Sequence, residues 1–464
     1  MPALLNELYE ILGEVGLLQG KDVSSRPRSW TDSTPCQAMA IARPASTQEL
    51  ADVMKTCHHH DQVVIPLGGG TGLVHAVEAT ANQLLVSLER MNNIEPIDLS
   101  GSTITVEAGA ILQNVQEIAK NNDLFFPIDL GARGSAQIGG LIATNAGGNQ
   151  VLRYGMMREQ VLGLEVVLAD GTIISSMNNM LKNNAGYDLK QLFIGAEGTL
   201  GIVTRAVLRL RPLMVSKSTA LVAVKHFSKI PTLLKTMAAS LGGTLNSYEV
   251  LWNNFYTLIT DAHPERVLPL SNEHPFYVLI ESCSANKETD KILFESALEQ
   301  AFKSELIIDA AIAQNEKQSE GMWAIRDDIE TIMHKLSPLI AFDISIPIAL
   351  LDNFVNVIEK KLTAKWGDSA KFVSFGHLGD SNIHLVITVG SGGHEVKQAV
   401  MDIIYSEVST FNGSISAEHG IGLEKVNYLH HSRSSDEINL MRTLKTALDP
   451  KTLLNPGRVF NIKK

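Results

Sequence analysis

Four of the five residues from Gly68 to Gly72 are glycine, and they follow directly on Val63-Val64-Ile65-Pro66-Leu67, which reads as a strand. Such a strand end turns sharply and bares a row of backbone N–H groups, a nest able to bind a diphosphate without any basic side chain. The spacing is not GxGxxG and no Gly-Lys-Ser/Thr follows, so neither a Rossmann fingerprint nor a P-loop is read here. One loop of this kind is as readily a structural turn. Two further clusters tip the balance: Ile138-Gly139-Gly140-Leu141-Ile142-Ala143-Thr144-Asn145-Ala146-Gly147-Gly148, and Gly195-Ala196-Glu197-Gly198-Thr199-Leu200-Gly201-Ile202-Val203-Thr204. At that density of small residues a flat ring system can lie against bare backbone, with Thr144 and Asn145 supplying hydrogen bonds.

A chain of 464 residues is too long for one compact core and predicts two domains. Up to Pro212 strands and helices are mixed. Ser46 opens a capping box ahead of a helix whose buried stripe includes Leu50, Val53, Met54 and Cys57. Strands are expected at Leu84 to Leu88, Thr103 to Glu107 and Ile202 to Leu210, a helix from Ile111 to about Asn122, and a hairpin over Val161 to Ser175 turning at Asp170-Gly171. Beyond Pro212 glycines thin out. The order strand 218–224, helix 229–240, strand 245–251, strand 276–283, helix 287–303, strand 306–313 suits a ferredoxin-like antiparallel sheet with its helices on one face. The fold class is therefore α+β, and a final helix is expected from Asp436 to Leu448.

The glycine clusters, together with Asp129-Leu130-Gly131-Ala132-Arg133-Gly134, Arg153-Tyr154-Gly155 and Gly186-Tyr187-Asp188-Leu189, resemble the PCMH-type FAD-binding domain of the vanillyl-alcohol oxidase superfamily. Within it the likeness is greatest to D-2-hydroxyglutarate and D-lactate dehydrogenases, and it spans nearly the whole chain. It implies an FAD domain over residues 1–213, a cap over 214–413 and a C-terminal segment, 414–464, that returns to the flavin. The cofactor-binding residues it implies are Pro66, Gly68, Gly69, Gly70, Thr71, Gly72, Asp129, Gly139, Gly140, Ala143, Thr144, Asn145, Gly147, Gly148, Gly198, Gly201, Ile202, Val203 and Asn455. Some relatives tether FAD to a histidine inside the first loop. Here that stretch holds Thr71 and Gly72, and His75 lies beyond it, so FAD is expected to be noncovalent.

Two segments concentrate chemistry in the second half: Gly376-His377-Leu378-Gly379-Asp380-Ser381-Asn382-Ile383-His384 and Ser416-Ala417-Glu418-His419-Gly420. A turn between the histidines can fold them toward one centre. Two imidazoles and a carboxylate make a three-ligand set for zinc or manganese that keeps a position open for a substrate oxygen. Two histidines and a distant Glu-His pair are also common without a metal. The resemblance matches His377, His384 and Glu418 to metal ligands, and His419 to the base that takes the hydroxyl proton while hydride passes to the flavin. Arg326 reads most simply as a surface helix arginine paired with Glu330. By resemblance it clamps a substrate carboxylate, and Tyr187 falls in a matching motif without an evident role.

The pattern breaks where 2-hydroxyglutarate enzymes carry a lysine, a threonine and an asparagine. Those positions are Ala341, Glu330 and Val386. Glu330 would repel a second carboxylate, so the expected substrate is a D-lactate-like monocarboxylate. The expected electron acceptor is an electron-transfer flavoprotein or a quinone. Rival readings are a D-2-hydroxyglutarate dehydrogenase, an oxygen-using oxidase and a non-catalytic flavin-binding subunit; the sequence leaves open whether the chain forms a homodimer.

A net charge of -11 disfavours nucleic acid and anionic membranes as partners. Cys36, Cys57 and Cys283 form no disulfide framework, and Met1 to Leu18 carries Glu7, Glu10 and Glu14 like an amphipathic docking helix, so a cytoplasmic location is expected. Cys57-His58-His59-His60 is read as a solvated helix end, and Trp252, Trp323 and Trp366 as packing residues.

Overall fold

The computed structural model describes residues 2–30 and 32–462, which group into two compact units. The first comprises Met1–Gly148, Gly155–Leu213 and Glu418–Lys464, the second Asn149–Tyr154 and Met214–Ala417. The second unit thus takes in 149–154 and runs to Ala417 rather than 413. Local bonds account for both differences. Ser247 Oγ donates to Asn149 O at 2.7 Å, and Arg153 donates to the Cys283 carbonyl. Ser345 and Ser414 exchange backbone bonds, and Ala417 N–H donates to Asp343 O at 3.3 Å. No described helix is long and apolar enough to cross a membrane.

In the first unit, Leu4, Leu8 and Leu12 of α1 (Pro2–Gly16) are buried at one-turn spacing and pack on α2 (Thr47–His59). Ser46 Oγ accepts the Glu49 N–H that opens α2, whereas the Glu49 carboxylate takes the N–H of Ala45, one residue before the cap. The expected reciprocal box is therefore displaced by one residue. Cys57 is fully buried on this helix, and burial pushes its thiol up to about 12. His60 turns away to pair with Glu7.

β1 (Leu17–Leu18), β2 (Ala40–Ala42), β3 (Val64–Leu67) and β4 (Leu84–Ser87) form a sheet in the order β1-β2-β4-β3, with β2, β4 and β3 parallel. β5 (Thr103–Glu107), α3 (Leu112–Lys120), β6 (Leu124–Phe125), α4 (Ile138–Thr144), β7 (Val161–Val167), β8 (Ile173–Ser176), β9 (Ile202–Arg209) and β10 (Arg211–Pro212) follow. An antiparallel sheet runs β5-β9-β7-β8, and β6 pairs with β10. Parallel β3 is buried at Val64 and Ile65 and gives way to the first glycine loop at Leu67.

The second unit is built on one seven-stranded antiparallel sheet. Its elements are β11 (Ser216–Val224), α5 (Ile230–Ser240), β12 (Leu245–Trp252), α6 (Asn253–Ala262), β13 (Phe276–Ser284), α7 (Lys287–Lys303), β14 (Asp309–Ile312), α8 (Glu316–Arg326), α9 (Ile329–Lys335), β15 (Ile340–Ser345), β16 (Lys371–His377) and β17 (Asn382–Thr388), together with the helices Leu351–Trp366 and His394–Thr410. The strand order is β14-β11-β13-β12-β16-β17-β15. The first four strands have the ferredoxin-like arrangement. The expectation of helices on one face holds for α5 and α7 but not for α6, α8 and α9. On the other face Leu221, Leu251, Tyr277, Leu279, Val373 and Phe375 pack against Phe255 and Ile259 of α6, Met322 and Ile325 of α8 and Ile332 of α9. Strands such as β12 are buried at every residue, so both faces need a cover.

Candidate functional site

In the first unit the three glycine clusters converge on the end of β3. A Cβ on Gly68 would stand 3.3 Å from Gly140 Cα, and one on Gly198 would stand 3.0 Å from Pro66 Cγ. One on Gly69 would lie 2.1 Å from Ser135 O, and one on Gly148, where φ is +119°, would lie 1.9 Å from Asp129 O. At Gly68, Gly69 and Gly148 the close neighbour is backbone, and at Gly198 it is the Pro66 ring. Gly139 against Ala108 and Gly201 against Val166 are similar. At Gly70 and Gly72, by contrast, a Cβ would meet nothing nearer than 4.0 Å, so the Gly70–Gly72 turn, with Thr71, keeps its surface clear.

Hydrogen bonds lock the clusters together. Gly195 N–H donates to Ile142 O at 3.0 Å and Glu197 N–H to Ala143 O at 2.8 Å. Asn455 N–H donates to Val64 O at 2.8 Å, and its side-chain amide donates to Glu197 O at 2.7 Å. Buried Lys445 of the final helix (Ser435–Leu448) holds that return in place by donating to Thr199 O, Leu454 O and Asp449. Thr144 Oγ1 donates back to Gly140 O and the Asn145 side-chain oxygen accepts from Arg158 N, so part of their hydrogen-bonding capacity is turned into the protein. Ile202 and Val203 are buried at the start of β9.

The cradle suits a flat, diphosphate-bearing cofactor on two counts. Its surface is backbone where a Cβ would intrude, and the side-chain carbonyls of Gln137 and Asn455 are buried without a protein partner among the described residues. His75 is engaged instead with Glu78, its Nδ1 at 2.6 Å from the carboxylate.

The cap holds a different kind of cluster. β16 and β17 form a hairpin in which Phe375 stands opposite His384, with His377 two residues further along the same face. The two imidazoles face each other, centroids 5.4 Å apart at 83°. Glu249, opposite His377 on β12, accepts from His377 Nδ1 at 2.7 Å and from Arg326 Nε at 2.9 Å. Arg326 Nη2 lies 3.0 Å from His377 Nε2. A guanidinium only donates, so Nε2 presents its lone pair and the proton sits on Nδ1, toward Glu249. Full burial alone would raise the Glu249 carboxyl; His377 and Arg326 beside it outweigh burial and hold it at about 2. Asp343 stands 3.7 Å from His384 Nδ1 and accepts from the Asn382 amide.

Arg326 is therefore not the surface arginine paired with Glu330 that helix spacing suggests. It is 6% exposed. The chain breaks at Asp327, and Asp328 caps a new helix, so Glu330 belongs to α9, where it is exposed and pairs with His334. Past that break Glu330 no longer stands one turn on from Arg326, the position from which it was expected to repel a second carboxylate. Ala341 and Val386 face each other across β15 and β17, next to the Asp343–His384 pair.

Glu249 behind His377 is the arrangement that orients a histidine ligand of a divalent ion; Nε2 of that imidazole accepts from Arg326 in this structure, and a bound ion would take the place of that guanidinium. The donor set fits such an ion. In the first unit, Glu418 accepts from Gly148 N–H at 2.7 Å, and His419 follows it in a turn fixed at Ile421 and Gly422 by the Glu197 carboxylate. Sequence reasoning passed over Glu249, Asp343 and Glu197. The signal for Glu249 was an acid inside the otherwise uncharged strand Ser247-Tyr248-Glu249-Val250-Leu251-Trp252. Exposed Tyr187 takes no part in either cluster.

Comparison with known proteins brings these observations together. The model of the FAD binding domain matches residues 38–176, and that of the C-terminal domain of FAD linked oxidases matches 214–459. The chain is 35% identical over 453 residues, 97% of its length and 80% of the relative's, to the mitochondrial D-2-hydroxyglutarate dehydrogenase of Arabidopsis thaliana. It is 36% identical over 433 residues to the Bos taurus protein of that name, covering 93% and 78% of the two chains. A Schizosaccharomyces pombe protein provisionally named a mitochondrial D-lactate dehydrogenase is 35% identical over 462 residues, 96% and 88% of the chains.

Among solved structures, alkyldihydroxyacetonephosphate synthase superposes with a TM-score of 0.75 at 18% identity, over 98% of this chain and 84% of the other. p-Cresol methylhydroxylase gives 0.74 at 14%, over 100% and 97%. These share the fold. The mitochondrial names of the relatives overturn the cytoplasmic expectation. Sparse cysteines indicate a reducing compartment without choosing among them. The chain is an FAD-linked oxidoreductase and belongs to the FAD-linked oxidase family, in the branch of the D-2-hydroxyglutarate and D-lactate dehydrogenases.

Proposed function

We propose that the protein oxidises a D-2-hydroxy acid to the 2-oxo acid with noncovalent FAD and a divalent ion, zinc or manganese, bound by His377, His384 and Glu418. The observation that carries this reading is the buried Glu249, which orients His377 and Arg326 side by side in the cap. FAD, when bound, supplies the acceptor for two electrons and the α-hydrogen, and the ion, when bound, supplies Lewis acidity toward the substrate hydroxyl. Arg326, held by Glu249 through Nε, clamps the substrate carboxylate. His419 accepts the hydroxyl proton, a task suited to an imidazole near neutral pH. Glu249 and Asp343 keep the two histidines oriented for an ion. The glycine clusters, closed by Asn455, hold the flavin through backbone groups.

The substrate proposed is a D-lactate-like monocarboxylate, because Ala341 and Val386, adjacent on β15 and β17, bring no cation toward a second carboxylate. D-2-hydroxyglutarate is the competing substrate, favoured by the relatives' names and by the outward position of Glu330. Electrons pass on to an electron-transfer flavoprotein or a quinone.

A panel of 2-hydroxy acids in both enantiomers, with a dye acceptor and flavin bleaching as readouts, tests the reading. D-Monocarboxylates are expected to bleach the flavin, and chelation to abolish turnover until zinc or manganese is restored. Turnover that survives complete removal of metal would sink the metal assignment; D-2-hydroxyglutarate as much the best substrate would sink the specificity.

A further inference from the structure

Glu197 is a buried carboxylate that the reaction above does not use. Its backbone adopts φ of +50°, uncommon for a residue with a Cβ, in the middle of the third glycine cluster. Every hydrogen-bonding group it has is engaged within the first unit. Its N–H donates to Ala143 O and its carbonyl accepts from the Asn455 amide. Its two carboxylate oxygens accept from successive N–H groups: Ile421 to Oε1 at 2.7 Å and Gly422 to Oε2 at 2.8 Å.

The segment it grips is tightly confined. Gly420 has φ of +82°, and a Cβ there would come within 2.7 Å of Glu197 Oε1. Gly422 has φ of +53°, and a Cβ there would come within 2.1 Å of Val74 O, which also accepts the N–H of Leu423. On the other side of His419, Glu418 accepts from Gly148 N–H. Burial pushes the Glu197 carboxyl up, opposed by the two N–H groups and by nearby Lys425 and Arg458. A fork of two charge-assisted bonds to adjacent N–H groups restricts rotation of the turn as a single bond would not.

We propose that Glu197 is a positioning residue: its carboxylate clamps the turn Gly420-Ile421-Gly422 and so fixes His419 relative to the loops that frame the flavin. The inference rests on the reading of His419 as the base. It also explains why an acid stands among small residues: a carboxylate offers an acceptor oxygen to each of the two adjacent N–H groups, where an amide offers one.

The test uses the FAD-loaded full chain. In Glu197→Gln the amide keeps one acceptor oxygen and loses the other, so hydrogen exchange at Ile421 and Gly422 is expected to speed up about tenfold, as loss of one charge-assisted bond implies. Exchange in the cap strands should be unchanged. Flavin content should stay stoichiometric while kcat falls with little change in KM, and the limb of the pH profile due to the base should shift. Gly420→Ala drives a methyl at the same carboxylate and should give the same exchange signature should Glu197→Gln fold poorly.

Wild-type exchange at 421 and 422 in both variants would overturn the proposal. So would loss of flavin with turnover per bound flavin unchanged, which marks Glu197 as cofactor scaffolding alone. Because exchange needs no substrate, a wild-type protein inert toward every hydroxy acid would defeat the functional reading and leave the clamp still measurable.

Discussion

In the first unit the residues that converge on Pro66 and Gly68 have almost no side chains, whereas those around His377 in the cap are long, charged and buried. The two regions tolerate change in opposite ways. Around the glycine clusters, Gly69 and Gly148 are held by carbonyl oxygens within about 2 Å of where a Cβ would stand, so adding atoms is what harms. In the cap, Glu249, Arg326 and His377 satisfy one another away from water, so removing a charge is what harms. Backbone shapes one region and a mutually dependent set of charges the other.

The sharpest way to break this contrast is Glu249→Ala. It leaves the Arg326 guanidinium buried without its principal counter-charge, and thermal or denaturant unfolding should register a loss of about 3–5 kcal/mol. The freed Nδ1 of His377 should also weaken divalent-ion binding by about 10- to 100-fold, read by titration of the metal-free protein. Stability within error of wild type would mean that the cap cluster is not interdependent. The matching test in the first unit is Gly148→Ala, which places a methyl 1.9 Å from Asp129 O at a φ that favours glycine. Displacing the 129–134 loop should cost about 1–3 kcal/mol and lower flavin occupancy, scored by the ratio of flavin to protein absorbance. Full occupancy in this variant would mean that the close approach is dispensable.

Acid separates the regions in a second manner. The Glu249 carboxyl is held at about 2 against an ordinary value of 4.5. A depressed carboxyl contributes stability that is complete above its unfolded value and is lost as pH falls through the folded one. Between pH 4.5 and about 2 the wild type should therefore lose more stability than Glu249→Gln, whose amide does not titrate. Parallel melting temperatures for the two proteins across that window would show that the charge on Glu249 contributes nothing.

These contrasts account for what could be read from the sequence. Glycine clusters are legible because backbone approach leaves one permitted residue, and the spacing of Gly68 to Gly72 after an apolar strand already announced the turn. β5, the Val161–Ser176 hairpin and the ferredoxin-like run of β11 to β14 were visible as alternation and turn residues. Arg326 was misread as a partner of Glu330 because helix spacing presumes an unbroken helix, and the stop at Asp327 followed by the Asp328 cap is a local competition that periodicity does not register. Its true partner, Glu249, lies 77 residues away in sequence, and only strand pairing brings it near. The helices on the second face of the cap sheet were missed for a related reason. A continuous apolar run such as Ala220-Leu221-Val222-Ala223-Val224 marks a strand covered on both faces, but in β12 Asn246, Ser247 and Glu249 interrupt the run and hide the second cover.

The smallest expected effect bears most on specificity. Glu330 is exposed on α9, where it pairs at 3.8 Å with His334, itself exposed. Glu330→Ala should therefore alter stability by no more than about 0.5 kcal/mol. Were the carboxylate part of the substrate pocket, its removal would instead lower KM for D-2-hydroxyglutarate while leaving D-lactate unaffected. The expected result is no change in either KM. A selective gain for the dicarboxylate would restore Glu330 as a discriminating charge. The contrast between a pocket defined by buried charge and a surface carrying incidental charge would then have to be redrawn at α9.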